Sequence, residues 1–235
     1  MRFPMAVAAL VAATALMGHG PPADGAIEIS PVRVDLAPGG TAAVTLRNAG
    51  SVPVSVQADV FDWSQDEAGE DRLEPTGTVV VVPPIFTLEA GARQVVRVAH
   101  LGAGTDTEQS FRLIFSELPP AQPEAPFVGV AVRLKLSIPV FVAGTDRPAP
   151  GLGVTGFRES DGRGVLSVTN PGRAHARVVG VTLHRADEAP VEVPVVRYLL
   201  PGASRDLRFD VPAGGRVQAV TVNLAGSAPV EHEVR

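Results

Sequence analysis

Short runs of β-branched and aliphatic residues recur along most of the sequence and limit the folds that the chain can adopt. Runs such as 41–50 and 176–185 alternate apolar and polar residues with a period of two, which is typical of a strand with one buried face. The 24 Gly and 22 Pro residues lie mainly between such runs, for example in Pro38-Gly39-Gly40. Helical periodicity is almost absent, so the pattern predicts an all-β protein.

The number and spacing of these runs favour two consecutive antiparallel sandwiches. The predicted strands cover 27–36, 41–50, 52–63, 78–88, 92–101, 110–118 and 127–142, followed by 164–172, 176–185, 191–200, 205–212 and 216–224. A segment rich in Pro and Gly, residues 143–153, indicates the boundary. We therefore expect one domain over 27–146 and a second over 147–235.

The first 26 residues have the pattern of a secretory signal peptide. Arg2 precedes an apolar, uncharged run at 6–17, and small and polar residues follow at 18–26. The run is too short to cross a bilayer, which needs about 20 residues. An uncleaved anchor is the alternative. No second segment is long and apolar enough to cross, so we predict an exported protein without stable membrane insertion.

Several classes of function are disfavoured by composition and motifs. A net charge of −5 argues against nucleic-acid binding, and the absence of cysteine excludes disulfides and thiolate metal sites. The five histidines lack metal-site spacing. Residues 151–156 match G-x-G-x-x-G, but a proline-rich segment precedes them and no helix is predicted to follow, so a nucleotide site is disfavoured. We predict no enzyme activity, cofactor or metal.

An acidic cluster surrounds the single tryptophan, Trp63. It consists of Asp62, Asp66, Glu67, Glu70 and Asp71. Calcium binding is one interpretation, but the spacing lacks the central glycine and terminal glutamate of a regular calcium loop. We therefore favour a solvated hairpin tip.

The segment Phe127–Val142 alternates more regularly than any other part of the chain. One row consists of Val128, Val130, Val132, Leu134, Leu136 and Ile138. The opposite row includes Arg133 and Lys135, the latter being the only lysine. Such a strand can complete an apolar core, either its own or that of another protein.

Cations within long apolar strands are the remaining candidates for a binding site. Arg33, Arg97, Arg133 and Lys135 all interrupt such strands. A single strand cation usually faces water. If Arg33 and Lys135 converge between the two domains, however, they form an anion pocket suited to a C-terminal carboxylate.

Three motifs in order resemble the PapD-like periplasmic pilus chaperones of the chaperone–usher pathway. They are Ile29-Ser30-Pro31-Val32-Arg33-Val34, the segment Pro83-Pro84-Ile85-Phe86-Thr87-Leu88-Glu89-Ala90-Gly91, and the stretch from Phe111 to Pro120. The ending Ile138-Pro139-Val140-Phe141 is similar to the non-classical, archaic branch. The motifs cover most of residues 27–142, and the second domain matches only in size and strand content.

The resemblance implies a boomerang of two immunoglobulin-like sandwiches that lends a donor strand to an incomplete pilin subunit and passes it to an outer-membrane usher. It assigns the plugs of the donor strand to Val128, Val130, Val132, Leu134 and Leu136. The subunit's terminal carboxylate would be held by Arg33 and Lys135, with Arg97 and Arg133 as alternatives; Ser137 also aligns with the family's usual lysine. A second copy could cap the free strand between clients.

A structural or adhesive surface protein made of two sandwiches is the alternative function. In that case the long strand would be an ordinary core strand, paired on both sides. An enzyme or a sugar-binding domain is less favoured. Sugar binding would need exposed aromatic rings, and Trp63 and Tyr198 are the only Trp and Tyr.

Overall fold

The computed structural model describes residues 27–119 and 132–234, and all their regular secondary structure is β. The predicted signal peptide, residues 1–26, lies outside the described residues. Within the described ranges, no helix is long and apolar enough to cross a membrane.

Ten strands build the first sandwich. They are β1 (Ile27–Ser30), β2 (Val34–Leu36), β3 (Thr41–Asn48), β4 (Val54–Gln65), β5 (Asp71–Pro75), β6 (Val79–Val82), β7 (Ile85–Leu88), β8 (Arg93–His100), β9 (Gln109–Glu117) and β10 (Lys135–Val142). One sheet has the order β1-β3-β8-β6. The other has the order β2-β10-β9-β4-β5, and β7 also pairs with β4. Alternate residues of both sheets enclose a core that includes Leu46, Val96, Leu113 and Val140.

Seven strands build the second sandwich. They are β11 (Gly153–Ser160), β12 (Arg163–Thr169), β13 (Ala176–Arg185), β14 (Val191–Leu199), β15 (Ser204–Asp210), β16 (Val217–Leu224) and β17 (Val230–Glu233). They form a β11-β12-β15 sheet and a β14-β13-β16-β17 sheet, with a core that includes Leu166, Leu183 and Val220. The predicted all-β fold with two immunoglobulin-like sandwiches is confirmed.

Two predicted strands are each divided in two. The predicted strand 27–36 becomes β1 and β2, and 78–88 becomes β6 and β7. Pro31 and the Pro83-Pro84 pair lie at the breaks, because proline has no N–H to donate to a ladder. The first break carries the chain from one sheet to the other. The sequence patterns did not predict β5, β11 or β17.

A buried asparagine holds the same turn arrangement in both domains. The Asn48 amide donates to the carbonyls of Val52 and Leu88, and its Oδ1 accepts from Gly50 N–H. Asn170 does the same in the second domain, where its amide donates to the carbonyls of Ala174 and Leu199. Both asparagines are fully buried. Each amide therefore replaces the backbone partners that buried loop carbonyls require.

Replacing Asn48 with Ala should remove the side-chain partner of the buried Leu88 carbonyl, of the part-buried Val52 carbonyl and of the buried Gly50 N–H. We expect a loss of about 2–4 kcal/mol in the free energy of unfolding, because each unsatisfied buried group costs about 1–3 kcal/mol. Urea unfolding followed by circular dichroism measures the loss. Ala49 follows in the same turn and is exposed, so Ala49→Ser is a suitable control. An Asn48→Ala variant as stable as the wild type would contradict this account.

Candidate functional site

Among the described residues, strand β10 has a neighbour along its whole length on one side only. It pairs with β9 from Lys135 to Val142, whereas parallel β2 pairs only with Val140–Val142. Residues 135–139 therefore have an open edge on the β2 side. Pro139 lies in this stretch, where a missing N–H is tolerated.

The two rows of β10 face different parts of the molecule. Ile138, Val140 and Val142 lie in the core of the first domain. Phe141, from the other row, stacks on His175 of the second domain with ring centroids 3.6 Å apart. We call this second side of the sheet the cleft face; its described members include Phe141, Arg112 and Trp63.

The predicted plugs differ in how accessible they are. Val132 is 87% exposed, Leu134 is half-buried, and Leu136 packs against the core of its own domain. Val128 and Val130 lie outside the described residues. Among the described residues, the aliphatic row therefore passes from the domain's own core at Ile138 to solvent at Val132.

The regular strand starts at Lys135, so residues 132–134 are not part of the strand that the sequence predicts over 127–142. The partner strand β9 ends at Glu117, which still donates its N–H to the Leu134 carbonyl at 2.9 Å. The next residue, Leu118, faces the other neighbour and donates to the Ser55 carbonyl of β4, as alternation along a strand requires. Pro119 occupies the next position that faces β10 and has no N–H, so it donates no further bond to β10.

Arg33 and Lys135 both lie on the cleft face but at different heights along the sheet. Val34 is buried in the core and pairs with Val140, which places Arg33 on the opposite face, level with Pro139. Lys135 is four residues from Pro139, about 13 Å along the strand. Arg33 forms an exposed ion pair with Asp35 at 2.9 Å.

The two alternative cations are placed elsewhere. Arg97 lies between the buried Val96 and Val98, so it points outward from the β1-β3-β8-β6 sheet, away from the cleft face. This position separates Arg97 from Arg33 across the sandwich. Arg133 is exposed and precedes β10.

Arg112 is a cation of the cleft face that the sequence patterns did not single out. It pairs across strands with Pro139 on one side and Phe61 on the other. Its guanidinium lies 3.6 Å from the centroid of the Trp63 ring and 3.7 Å from an Asp71 carboxylate oxygen. Burial lowers the pKa of Arg112, and the charge of Asp71 opposes this shift. In the sequence, the one signal that could have singled out Arg112 was its position within the apolar strand predicted over 110–118.

An aromatic cluster joins the cleft face to the second domain. It contains Trp63, Phe141, Leu200 and Ala203, with Tyr198 packed against it. Beside the cluster, Glu108 accepts two hydrogen bonds from His175, one from the backbone N–H and one at Nδ1 at 2.7 Å. The two domains therefore meet through both apolar packing and directional hydrogen bonds.

The acidic cluster forms the tip of the β4–β5 hairpin. Asp66 accepts the N–H groups of Ala68 and Glu70 and pairs with Arg72. The hydrogen bond from the Glu70 N–H is the main cause that lowers the pKa of Asp66. Among the described residues, no group of three His, Asp or Glu side chains could hold a metal ion. The tip also lies against the second domain, where Arg205 is 3.8 Å from Asp71, so it is less solvated than predicted.

Two immunoglobulin-like sandwiches in series are the architecture of PapD-like pilus-assembly chaperones. Residues 26–147, just over half of the chain, match the family model described as pili and flagellar-assembly chaperone, PapD N-terminal domain. The protein belongs to this family, as the sequence motifs predicted. The family is one of chaperones and not of enzymes.

Solved structures of such chaperones share this fold. A chain in the CsuC–CsuE chaperone–tip adhesion subunit complex of the archaic Csu pili of Acinetobacter baumannii is 21% identical, with a TM-score of 0.64, and the match covers 88% of this chain and 97% of that one. A chain in the Salmonella enterica SafA pilin–SafB chaperone complex is 18% identical, with a TM-score of 0.62, and the match covers 89% of this chain and 96% of that one. The E. coli chaperone DraB is 22% identical, with a TM-score of 0.56, and the match covers 89% of this chain and 97% of that one. None of the curated proteins matches the sequence significantly. Membership of the archaic branch stays a prediction.

Proposed function

We propose that this assembly chaperone binds, folds and caps pilin subunits by donor-strand complementation and passes them to an outer-membrane usher. The observation that carries the proposal is the open edge of β10 together with the exposed Val132 and the half-buried Leu134 that precede it. Chaperones of this class are periplasmic, and the signal-like residues 1–26 support the same location here. Fractionation of expressing cells tests that location.

The energetics favour an added strand. Each backbone hydrogen bond to a client strand contributes about 1 kcal/mol net, and each newly buried Val or Leu contributes about 1.5–3 kcal/mol. Val132 is 87% exposed and has most of its apolar area still to bury, whereas Leu134 is half-buried. An uncovered edge of this kind is prone to aggregation. A second chaperone copy would therefore cover it when no client is bound.

The space beside β10 on its β2 side, which we call the lane, favours one direction of the client strand. Strand β2 occupies the lane only from Val34 onward and runs parallel to β10. A client strand in the same lane ends close to Arg33. A strand parallel to β10 brings its terminal carboxylate to this cation, whereas an antiparallel one brings an ammonium. The charge of Arg33 therefore favours a parallel client strand with a bound carboxylate.

Arg112 is a better-placed second anchor than Lys135. Arg33 and Arg112 flank Pro139 on the same face, so their Cα atoms are about 10 Å apart, two strand spacings. Both side chains are long enough to reach one carboxylate between them. Stacking of Arg112 on Trp63 leaves the edges of its guanidinium, which carry the N–H donors, for an anion. Lys135 lies nearer to the plugs and would contact the client strand before its end.

The outer face of the β1-β3-β8-β6 sheet is the surface that we assign to the usher. It lies on the opposite side of the sandwich from the cleft face, so it stays free while a client is held. Arg47 and Arg93 pair directly across strands, and like charges in this arrangement destabilise a sheet. The Glu28 carboxylate lies 3.0 Å from Arg47 and offsets only part of this charge. Arg97 and Val95 are exposed on the same face. This combination suits a partner with acidic and aliphatic side chains.

Leu134→Asp should abolish co-purification with a co-expressed pilin subunit, because a buried carboxylate cannot occupy an apolar groove. The fold should be retained, since Leu134 lies outside the core of the first domain. Val196→Asp, at an apolar residue that is 53% exposed in the second domain, is the matched control. Normal recovery of the subunit with Leu134→Asp would refute the assignment of this plug.

Arg33→Gln and Arg112→Gln should each weaken binding of a peptide that copies the subunit's last strand by about tenfold or more, the loss expected for one charge-assisted hydrogen bond. Lys135→Gln should have a smaller effect. Calorimetry with the free-acid peptide and with its carboxamide separates the anchors, because neither arginine variant should weaken carboxamide binding further. If Lys135→Gln gives the largest loss and Arg112→Gln none, the second anchor is Lys135.

Reversing the charges of Arg93 and Arg97 to Glu should weaken binding of the chaperone–subunit complex to the usher's periplasmic amino-terminal domain by at least about tenfold and reduce its salt dependence. Subunit binding should be unchanged. The same reversal at Arg163 and Arg216, two exposed arginines of the second domain, provides the control. Equal usher binding by the two double variants would rule out this face.

A further inference from the structure

The β4–β5 hairpin reaches beyond its own sandwich to the second domain. At 12 residues, β4 is the longest strand that the structure describes, and Gln65 is its last residue. The adjoining tip lies against β15, where a Cβ on Gly69 would be 2.8 Å from the Ser204 carbonyl oxygen. The hairpin is therefore an arm between the domains.

The Gln65 side chain makes the most regular contact of this arm. Its Nε2 donates to the Tyr198 carbonyl at 3.0 Å, and its Oε1 accepts the Leu200 N–H at 3.0 Å. A carbonyl and the N–H two residues later point to the same side of a strand, where a neighbouring strand would normally pair with them. The amide of Gln65 thus takes the place of a peptide group of that neighbour. The Asp71 carboxylate accepts its other N–H at 2.9 Å and fixes its orientation.

Most other contacts between the domains tolerate sliding. The rings of Trp63, Phe141 and Tyr198 pack with centroids 5.6–6.0 Å apart, and Arg205 lies 3.8 Å from both Glu70 and Asp71. Apolar packing and long ion pairs depend weakly on angle. The short hydrogen bonds of Gln65, with those between Glu108 and His175, are directional and restrict rotation of one domain against the other.

We propose that Gln65 is a positioning residue that holds the second domain at the orientation in which the cleft face receives the client's terminal carboxylate. The connection is short, because Tyr198 and Leu200, whose backbone groups bond to Gln65, pack on Trp63, on which Arg112 stacks. The Tyr198 ring centroid also lies 6.0 Å from the Arg112 guanidinium, so rotation of the second domain moves this ring away from Arg112 and Trp63. This inference rests on the proposed function. It goes further because it names the Gln65 amide as the group that fixes how the second domain lies against the cleft face.

Gln65→Glu tests the proposal with little change in size. It removes both donors and places a carboxylate beside the Tyr198 carbonyl and Asp71. The chain has no cysteine, so spin labels on cysteines introduced at the exposed residues Thr41 and Glu231 report the distance between domains by pulsed electron resonance. We expect a broader distance distribution with Gln65→Glu. Gln65→Leu, which adds no charge, should act in the same direction. Gln94→Glu in β8 is the matched control, because within the part of the chain that the structure describes that amide bonds to its neighbour Val95 and to no residue of the second domain.

The second readout is peptide binding. We expect Gln65→Glu to bind the free-acid strand peptide about tenfold more weakly than the wild type, as for one lost charge-assisted hydrogen bond, and the carboxamide peptide equally well. An equal loss for both peptides, or a distance distribution that matches the wild type, overturns the proposal. If the wild type binds neither peptide, the proposed function fails, and the distance measurement alone still decides whether Gln65 fixes the domains.

Discussion

The half-paired edge of β10 is the constraint on which the rest of the structure depends. The backbone N–H and C=O groups of a strand require hydrogen-bond partners, and among the described residues β9 and β2 supply them for only part of β10. On the β9 side the last backbone donor to β10 among the described residues is the Glu117 N–H, because Pro119 has none. On the other side β2 begins only at Val34, after the break at Pro31. Prolines thus limit both neighbours and leave residues 135–139 without a strand on the β2 side among the described residues, which is where we propose that a client strand binds.

The same strand joins the edge to the rest of the molecule. Its core row fixes β10 within the first sandwich, while Phe141 from the opposite row packs against His175 and the aromatic cluster of the second domain. Because adjacent residues of a strand face opposite sides, one segment can satisfy a core and a domain interface at once. The orientation of the second domain and the position of the open edge are therefore physically linked, with Gln65 and Glu108 supplying directional bonds.

Sequence periodicity predicted the all-β fold and most strands, because alternation is a local property of a half-buried strand. It was less accurate where proline interrupts an apolar run, as at Pro31 and Pro83, since the run continues although the ladder does not. It also missed β5, which is exposed along its length and has no apolar row. Among the cations, the uniqueness of Lys135 attracted attention, whereas Arg112 is the one that lies level with Arg33.

The sequence by itself determined the family, through three ordered motifs. It also determined the alternating aliphatic row, because the spacing of that row follows from strand geometry alone. Only the tertiary structure decided which cations share a face. Arg97 and Arg112 have similar strand contexts, yet one lies on the outer face of one sheet and the other over Trp63 on the cleft face of the other. The reason is that a strand's period fixes which residues alternate, whereas sheet membership and register depend on pairings between residues far apart in the chain.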